Sequence, residues 1–161
     1  MPTLSELKGR PVISLNEGEK LGAIKDALVD TTNKVVGGFL LQANDGDLAL
    51  PFPHIRAIGP DAATVETAAS SQSPVGEGGL EGTRKFAELA KQQVVDSEGK
   101  HLGHLGDITF GMDGVITDIE IRSGGFLGIK EDKTLYPISV VRSFGTSVVT
   151  VEGIPQPEAT E

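Results

Sequence analysis

Two stretches of this chain carry the same ordered series of motifs, and that duplication constrains its fold more than any other feature. Leu4-Ser5-Glu6-Leu7 returns as Phe86-Ala87-Glu88-Leu89, and Leu21-Gly22-Ala23-Ile24-Lys25-Asp26 as Leu102-Gly103-His104-Leu105-Gly106-Asp107. Asn33-Lys34-Val35-Val36 returns as Asp113-Gly114-Val115-Ile116, and Ile55-Arg56-Ala57-Ile58-Gly59 as Val141-Arg142-Ser143-Phe144-Gly145. Thr64-Val65-Glu66 and Thr150-Val151-Glu152 close the two copies. Each copy has only ~65 residues, a size at which a chain buries little more than about 60% of its unfolded surface. Aromatic residues make up 4% of the chain and Trp is absent, so the core must come from Val, Ile, Leu and a few Phe.

The organisation follows from the repeat. Residues 1–66 form copy one and residues 84–153 copy two. Residues 67–83, rich in Ala, Ser, Gly and Glu, read as a flexible linker. Residues 154–161 read as a disordered tail.

Within each copy the apolar pattern is that of short strands. Val115, Thr117, Ile119 and Ile121 alternate with Ile116, Asp118 and Glu120, which predicts a strand with the first set facing inward. Val35, Gly37, Phe39 and Leu41 are the matching inward positions in copy one. Turn dipeptides Asn33-Lys34 and Asp113-Gly114 precede these strands and predict hairpins with the strands before them. The apolar phase slips by one residue near Lys25-Asp26 and Gly106-Asp107, which predicts a β-bulge in each copy. Further strands are expected at 12–15, 48–52 and 62–66 and at 94–96, 134–138 and 148–152, with a helical turn over 53–56. The chain is therefore expected to be all-β: two tandem small antiparallel β-barrels, each of five to six short strands with a short helical turn.

Composition excludes several functions. With no Cys, there are no disulfides, thiolate metal sites or cysteine nucleophiles. A net charge of -9 opposes binding to nucleic acid, which needs a basic surface to displace counterions. No stretch approaches the ~20 apolar residues of a membrane span. The opening Met1-Pro2-Thr3-Leu4-Ser5-Glu6 carries neither a basic segment nor an apolar run, so a cytoplasmic location is expected.

Each copy resembles the PRC-barrel domain. The resemblance rests on the opening Leu4-x-x-Leu7-x-Gly9, the segment Leu21 to Asp26 and the closing Pro51-x-x-x-Ile55-x-x-Ile58-Gly59. In copy two it rests on Phe86-x-x-Leu89, Leu102 to Asp107 and Pro137 to Gly145. Copy two is also similar to small single-barrel sporulation-type members. The resemblance implies three settings: a barrel beneath a membrane photosynthetic complex, as in the reaction-centre H subunit; a barrel that holds a ribosomal protein, as in ribosome maturation factors; and stand-alone members. Their shared element is contact with another protein.

Asp26 and Asp107 occupy equivalent places. Either they are proton-relay carboxylates or they accept backbone N–H groups at the bulge, and their duplication favours the second. Gly22, Gly103, Gly59 and Gly145 repeat with them and read as structural positions. His101-x-x-His104 has a spacing that suits a metal on a helix. On a strand it sends the rings to opposite faces, so no metal site is expected. The run Gly124-Gly125-Phe126-Leu127-Gly128-Ile129-Lys130 lacks the spacing of a phosphate loop. It is an insertion where copy one has the loop Ala43-Asn44-Asp45-Gly46. Phe126, Leu127, Ile129 and Lys130 either plug the barrel mouth or form a partner-binding patch.

These readings converge on a non-enzymatic protein-binding adaptor or scaffold with no cofactor. Its expected partner is another protein or a second copy of the chain, with no direct contact to nucleic acid. Two alternatives accompany it: a ribosome maturation or RNA metabolism factor acting through a ribosomal protein, and a peripheral subunit of a membrane photosynthetic or redox complex.

Overall fold

The computed structural model describes residues 2–73, 79–90, 92–124 and 131–152. Copy one begins with the one-turn helix α1 (Leu4–Leu7) and continues through strands β1 (Pro11–Ser14), β2 (Glu19–Asp30), β3 (Val35–Ala43) and β4 (Gly46–Pro51). After a 3-10 turn at Phe52–His54 come β5 (Ile55–Ile58) and β6 (Ala63–Val65). Copy two repeats the order. A two-residue strand β7 (Arg84–Lys85) leads into helix α2 (Phe86–Leu89), then β8 (Gln93–Asp96), β9 (His101–Phe110), β10 (Ile116–Gly124) and β11 (Glu131–Pro137). A 3-10 turn at Ile138–Val140 precedes β12 (Val141–Phe144) and β13 (Val148–Val151).

The strand order is β4-β3-β2-β1-β6-β5 in copy one and β11-β10-β9-β8-β13-β12 in copy two. The expected all-β fold of two small barrels is therefore present. β4 and β5 sit at opposite ends of their sheet, yet three residues join them. The sheet must therefore curl, and each copy's sheet forms a half-barrel. Neighbouring strands run antiparallel except β1 with β6 and β8 with β13, which are parallel.

Curling is concentrated at irregular positions. Gly22 and Gly103 stand where the β1–β2 and β8–β9 registers shift. A Cβ at Gly22 would come within 2.6 Å of the Gln42 carbonyl oxygen, and one at Gly103 within 2.3 Å of the Arg122 carbonyl oxygen. Only glycine lets the backbones approach this closely. The expected bulges are present: Ile24 pairs with Leu41 but Asp26 with Leu40, and Leu105 pairs with Ile121 but Asp107 with Glu120.

A second bulge corrects the inward set. In β10 the register also shifts between Ile116 and Asp118, and β2–β3 shifts between Leu28 and Val29. Strict alternation fails across that step. Ile116 and Val36 are buried core residues, whereas Val115 is 44% exposed. Ile119, Ile121, Phe39 and Leu41 face inward as the pattern predicts.

The two copies share one core. Leu7, Val12, Phe39, Leu41 and Leu50 of copy one form a continuous buried cluster with Leu89, Leu105, Ile108, Phe110 and Ile119 of copy two. Phe39, Phe52 and Phe110 meet with ring centroids 6.1–6.4 Å apart, so a copy-two ring completes a copy-one aromatic group. The backbones join as well. The Val36 N–H donates to the Gly114 oxygen at 2.7 Å, and the Ile116 N–H donates to the Lys34 oxygen at 3.2 Å.

Within 67–83, Ala68–Ser70 form a 3-10 turn and Gln72 pairs with Ala49 of β4. Leu80 packs on a small outer cluster of Leu28, Leu40 and Ala49.

A shared core makes the copies unfold together. Phe110→Ala should cost about 3–5 kcal/mol, the usual loss for a buried phenylalanine, and should lower one common unfolding transition. Calorimetry that resolved two transitions, with only one displaced, would contradict this.

Candidate functional site

Asp26 and Asp107 lie where the copies meet. At its bulge, Asp26 Oδ1 accepts the N–H of Ala27 at 2.8 Å, and Asp107 Oδ1 accepts that of Ile108 at 2.9 Å. The same oxygens reach into the other copy. Asp107 Oδ1 accepts the Ser5 N–H at 3.0 Å, and Asp26 Oδ1 accepts the Ala87 N–H at 3.2 Å. Ser5 and Ala87 occupy the first turns of α1 and α2, where backbone N–H groups have no partner within the helix. Each bulge carboxylate thus caps the helix of the opposite copy.

The segments before the helices make the matching exchange. Arg84 and Lys85 in β7 pair with Val29 and Leu28 of β2. Thr3 pairs with Thr109 of β9, and the Phe110 N–H donates to the Pro2 oxygen at 3.1 Å. Each copy lays its N-terminal arm on the other.

The arrangement is not fully symmetric. Beside Asp26 opens a cleft of ≈ 320 Å³ lined by Leu4, Ile24, Phe86 and Ala90 with Lys8 and Lys25. Lys25 is paired with Asp47 at 2.9 Å. At the equivalent position in copy two stands Gly106, and the Arg122 side chain lies so close over it that a Cβ would meet Nε at 2.4 Å. Asp107 is only 7% exposed, while Asp26 is half-buried against its cleft. Burial pushes the Asp26 carboxyl above its ordinary value of 3.8, against the pull of the Ala27 and Ala87 N–H groups and of Lys85 and Lys8. A cleft with apolar walls, a carboxyl that holds its proton readily and ammonium groups nearby has the chemistry to take a small amphipathic molecule.

Gly59 and Gly145 serve the barrel seams. Their N–H groups close turns onto the Ala62 and Val148 oxygens at 2.8 and 3.0 Å. Their carbonyls accept from Arg10 Nη1 at 2.9 Å and Gln92 Nε2 at 2.7 Å, side chains at equivalent points of the two copies.

His101 and His104 line one shallow cleft together with Gln93 and Arg122. Alternation should send them apart, but Gly103 between them has φ +140° and the strand is irregular there. The His101 ring bonds the Gln93 side chain. Among the described residues no group of three His, Cys, Asp or Glu is placed to hold a metal ion. Phe126, Leu127, Ile129 and Lys130 lie outside the described residues.

Sequence reasoning missed Leu135, which is 63% exposed on β11. The signal was a mismatch between copies: Leu135 stands where copy one has Ala49, and their strand partners are Glu120 and Leu40.

Two outcomes follow for the aspartates. Asp107→Ala leaves the Ser5 and Ile108 N–H groups without their acceptor and should destabilise by about 1–3 kcal/mol. For Asp26 the effect depends on pH. Its raised carboxyl keeps its proton in the folded state where the unfolded chain has lost it, so its contribution is full below 3.8 and declines as pH rises through the folded value. Asp26→Asn keeps an acceptor oxygen and cannot ionise. Its urea midpoint should match that of the parent in strong acid and exceed it at neutral pH. A deficit that widens as pH rises would contradict the assignment.

None of the curated proteins compared matches this chain. A family model does, that of the PRC-barrel domain, once over residues 3–72 and again over residues 81–155. Those spans contain both curled sheets and both bulge aspartates, and the chain belongs to the PRC-barrel family in each of its halves.

Proposed function

We propose that this chain is a non-catalytic scaffold whose two PRC-barrel copies form one body and present unlike outer surfaces to a protein partner. The observation that carries the reading is the use made of the duplicated carboxylates. Asp26 and Asp107 are the residues most suited to acid–base work, and each has Oδ1 committed to two backbone N–H groups, one from either copy. An oxygen fixed in that way braces the fold. The same bracing in both copies is what duplication of a structural device produces, whereas a catalytic site needs only one competent copy.

Family membership supports a binding or scaffold role. The acidic net charge of -9 favours a partner with a basic or neutral face over a nucleic acid. Among the described residues no helix is long and apolar enough to cross a membrane. Ribosomal-protein and membrane-complex partners are the two narrower forms of this reading.

The test is crosslinking of the full chain in its native cells, followed by mass spectrometry of the isolated adducts. A defined protein partner, still captured by Asp26→Asn, is the expected result. Co-sedimentation with small ribosomal subunits, or with membranes only when an intact complex is present, would select between the narrower forms. Turnover of a substrate that disappears in Asp26→Asn or Asp107→Asn, with the fold intact, would overturn the scaffold reading.

A further inference from the structure

We propose that the outer edge of β11, the last strand of its sheet among the described residues, is a docking site for an extended segment of a partner protein, which adds to the sheet as a strand beside Leu135. The proposal rests on the protein-partner reading of the chain and names the surface that serves it.

The two copies supply the comparison. Asp26 pairs with Leu40, and Leu40 with Ala49 of β4. Asp107 pairs with Glu120, and Glu120 with Leu135 of β11. Counting outward from the bulge aspartates, Ala49 and Leu135 are therefore the same position, each on the last strand of its sheet. In copy one that edge is occupied. The Ala49 N–H donates to the Gln72 oxygen at 2.7 Å, and the Gln72 N–H donates back to the Ala49 oxygen at 2.9 Å. Both backbone groups of this position thus point out of the sheet, toward an extended antiparallel chain. Leu80 then covers Leu28, Leu40 and Ala49, and Ala49 is fully buried.

In copy two the described residues place no strand beyond β11, and Leu135 is 63% exposed. By the equivalence, its N–H and C=O point outward as those of Ala49 do. An edge that offers paired backbone groups and an apolar side chain is a template for another strand.

Charge narrows the occupant. The outer-face neighbour that is Leu40 in copy one is Glu120 in copy two, which pairs with Arg122 at 2.8 Å, and Asp118 lies on the same face beside Pro137. On β11 itself exposed Lys133 shares the face of Leu135, on the side away from Pro137. A segment with an apolar residue against Leu135 and a Lys or Arg two positions along toward Pro137, on the same face, would meet Asp118 and keep its charge away from Lys133.

Two substitutions separate the backbone from the side chain. Leu135→Pro removes the outward N–H, a change that edge strands accept. Leu135→Asp keeps the N–H and removes the apolar contact. Leu15→Asp, at another exposed leucine (46%), is the control. The full chain carries a photo-crosslinking residue at Thr134, and adducts formed in native cells are isolated and mapped. The expected result has three parts. The adduct maps to an extended apolar-and-basic segment of one protein. Its yield falls about tenfold in each Leu135 variant, as loss of the hydrogen bond in one and of the apolar contact in the other implies. It is unchanged in Leu15→Asp, with the thermal melt of all three variants kept.

Undiminished capture by Leu135→Pro and Leu135→Asp would overturn the edge proposal while leaving a protein partner in place. So would adducts joining Thr134 to residues 153–161 or to a second copy of the chain. If neither the parent nor any variant captures a protein, the edge proposal and the scaffold reading fall together. If the Leu135 variants lose the melt as well, Leu135 is a structural residue and the proposal is overturned.

Discussion

Each barrel of this protein is finished by the other, and the bulge aspartates are where that dependence is most direct. A one-turn helix cannot hold itself in water, because it fixes several residues in exchange for very few internal hydrogen bonds. α1 and α2 are such helices, and each finds an acceptor for a first-turn N–H in the opposite copy. The carboxylate that supplies it stands at a bulge, where the extra residue turns the side chain out of the ladder. The bulge, the cap and the arm exchange are thus one device. It also positions Phe110 of copy two against Phe39 and Phe52 of copy one, so the shared aromatic contact depends on it.

Mutual completion explains how so small and aromatic-poor a unit is stable. A lone copy of this size leaves much of its apolar surface in water. Joined, the copies bury Leu7, Phe39, Leu105 and Phe110 completely within one cluster. The covalent link keeps the local concentration of each copy high near the other. Residues between the copies do more than connect, because Gln72 and Leu80 are also part of the wall of copy one.

Much of this was legible in the sequence because it is local. The repeat, the strands, the first bulge and the turn glycines each leave a signature within a few residues. The family resemblance had enough such motifs in order to be specific. The second bulge was not legible, since Gly37 and Thr117 interrupt the alternation without an apolar residue to show which way the chain turns. Contact between Asp107 and Ser5, or between Asp26 and Ala87, joins residues far apart in sequence, and a single sequence shows nothing of it. The duplication favoured backbone acceptance by these carboxylates, but not that the donor sits in the other copy. The histidine pair failed for a similar reason: Gly103 turns the strand between them, so two rings expected on opposite faces line one cleft.

What differs between copies follows from what each must do for the other. The contacts across the pseudo-symmetric interface come in reciprocal pairs, so drift in one half of a pair is opposed by its counterpart. The outer face of β3–β4 and that of β10–β11 have no such constraint. In copy one, Leu40 and Ala49 accept the chain that runs on toward copy two, and small size at Ala49 lets that chain approach. In copy two Leu40 is replaced by the charged Glu120 and Ala49 by the larger apolar Leu135. The divergence leaves Glu120 polar and Leu135 apolar and exposed on the last strand of its sheet, and the proposed docking on β11 starts from that pairing.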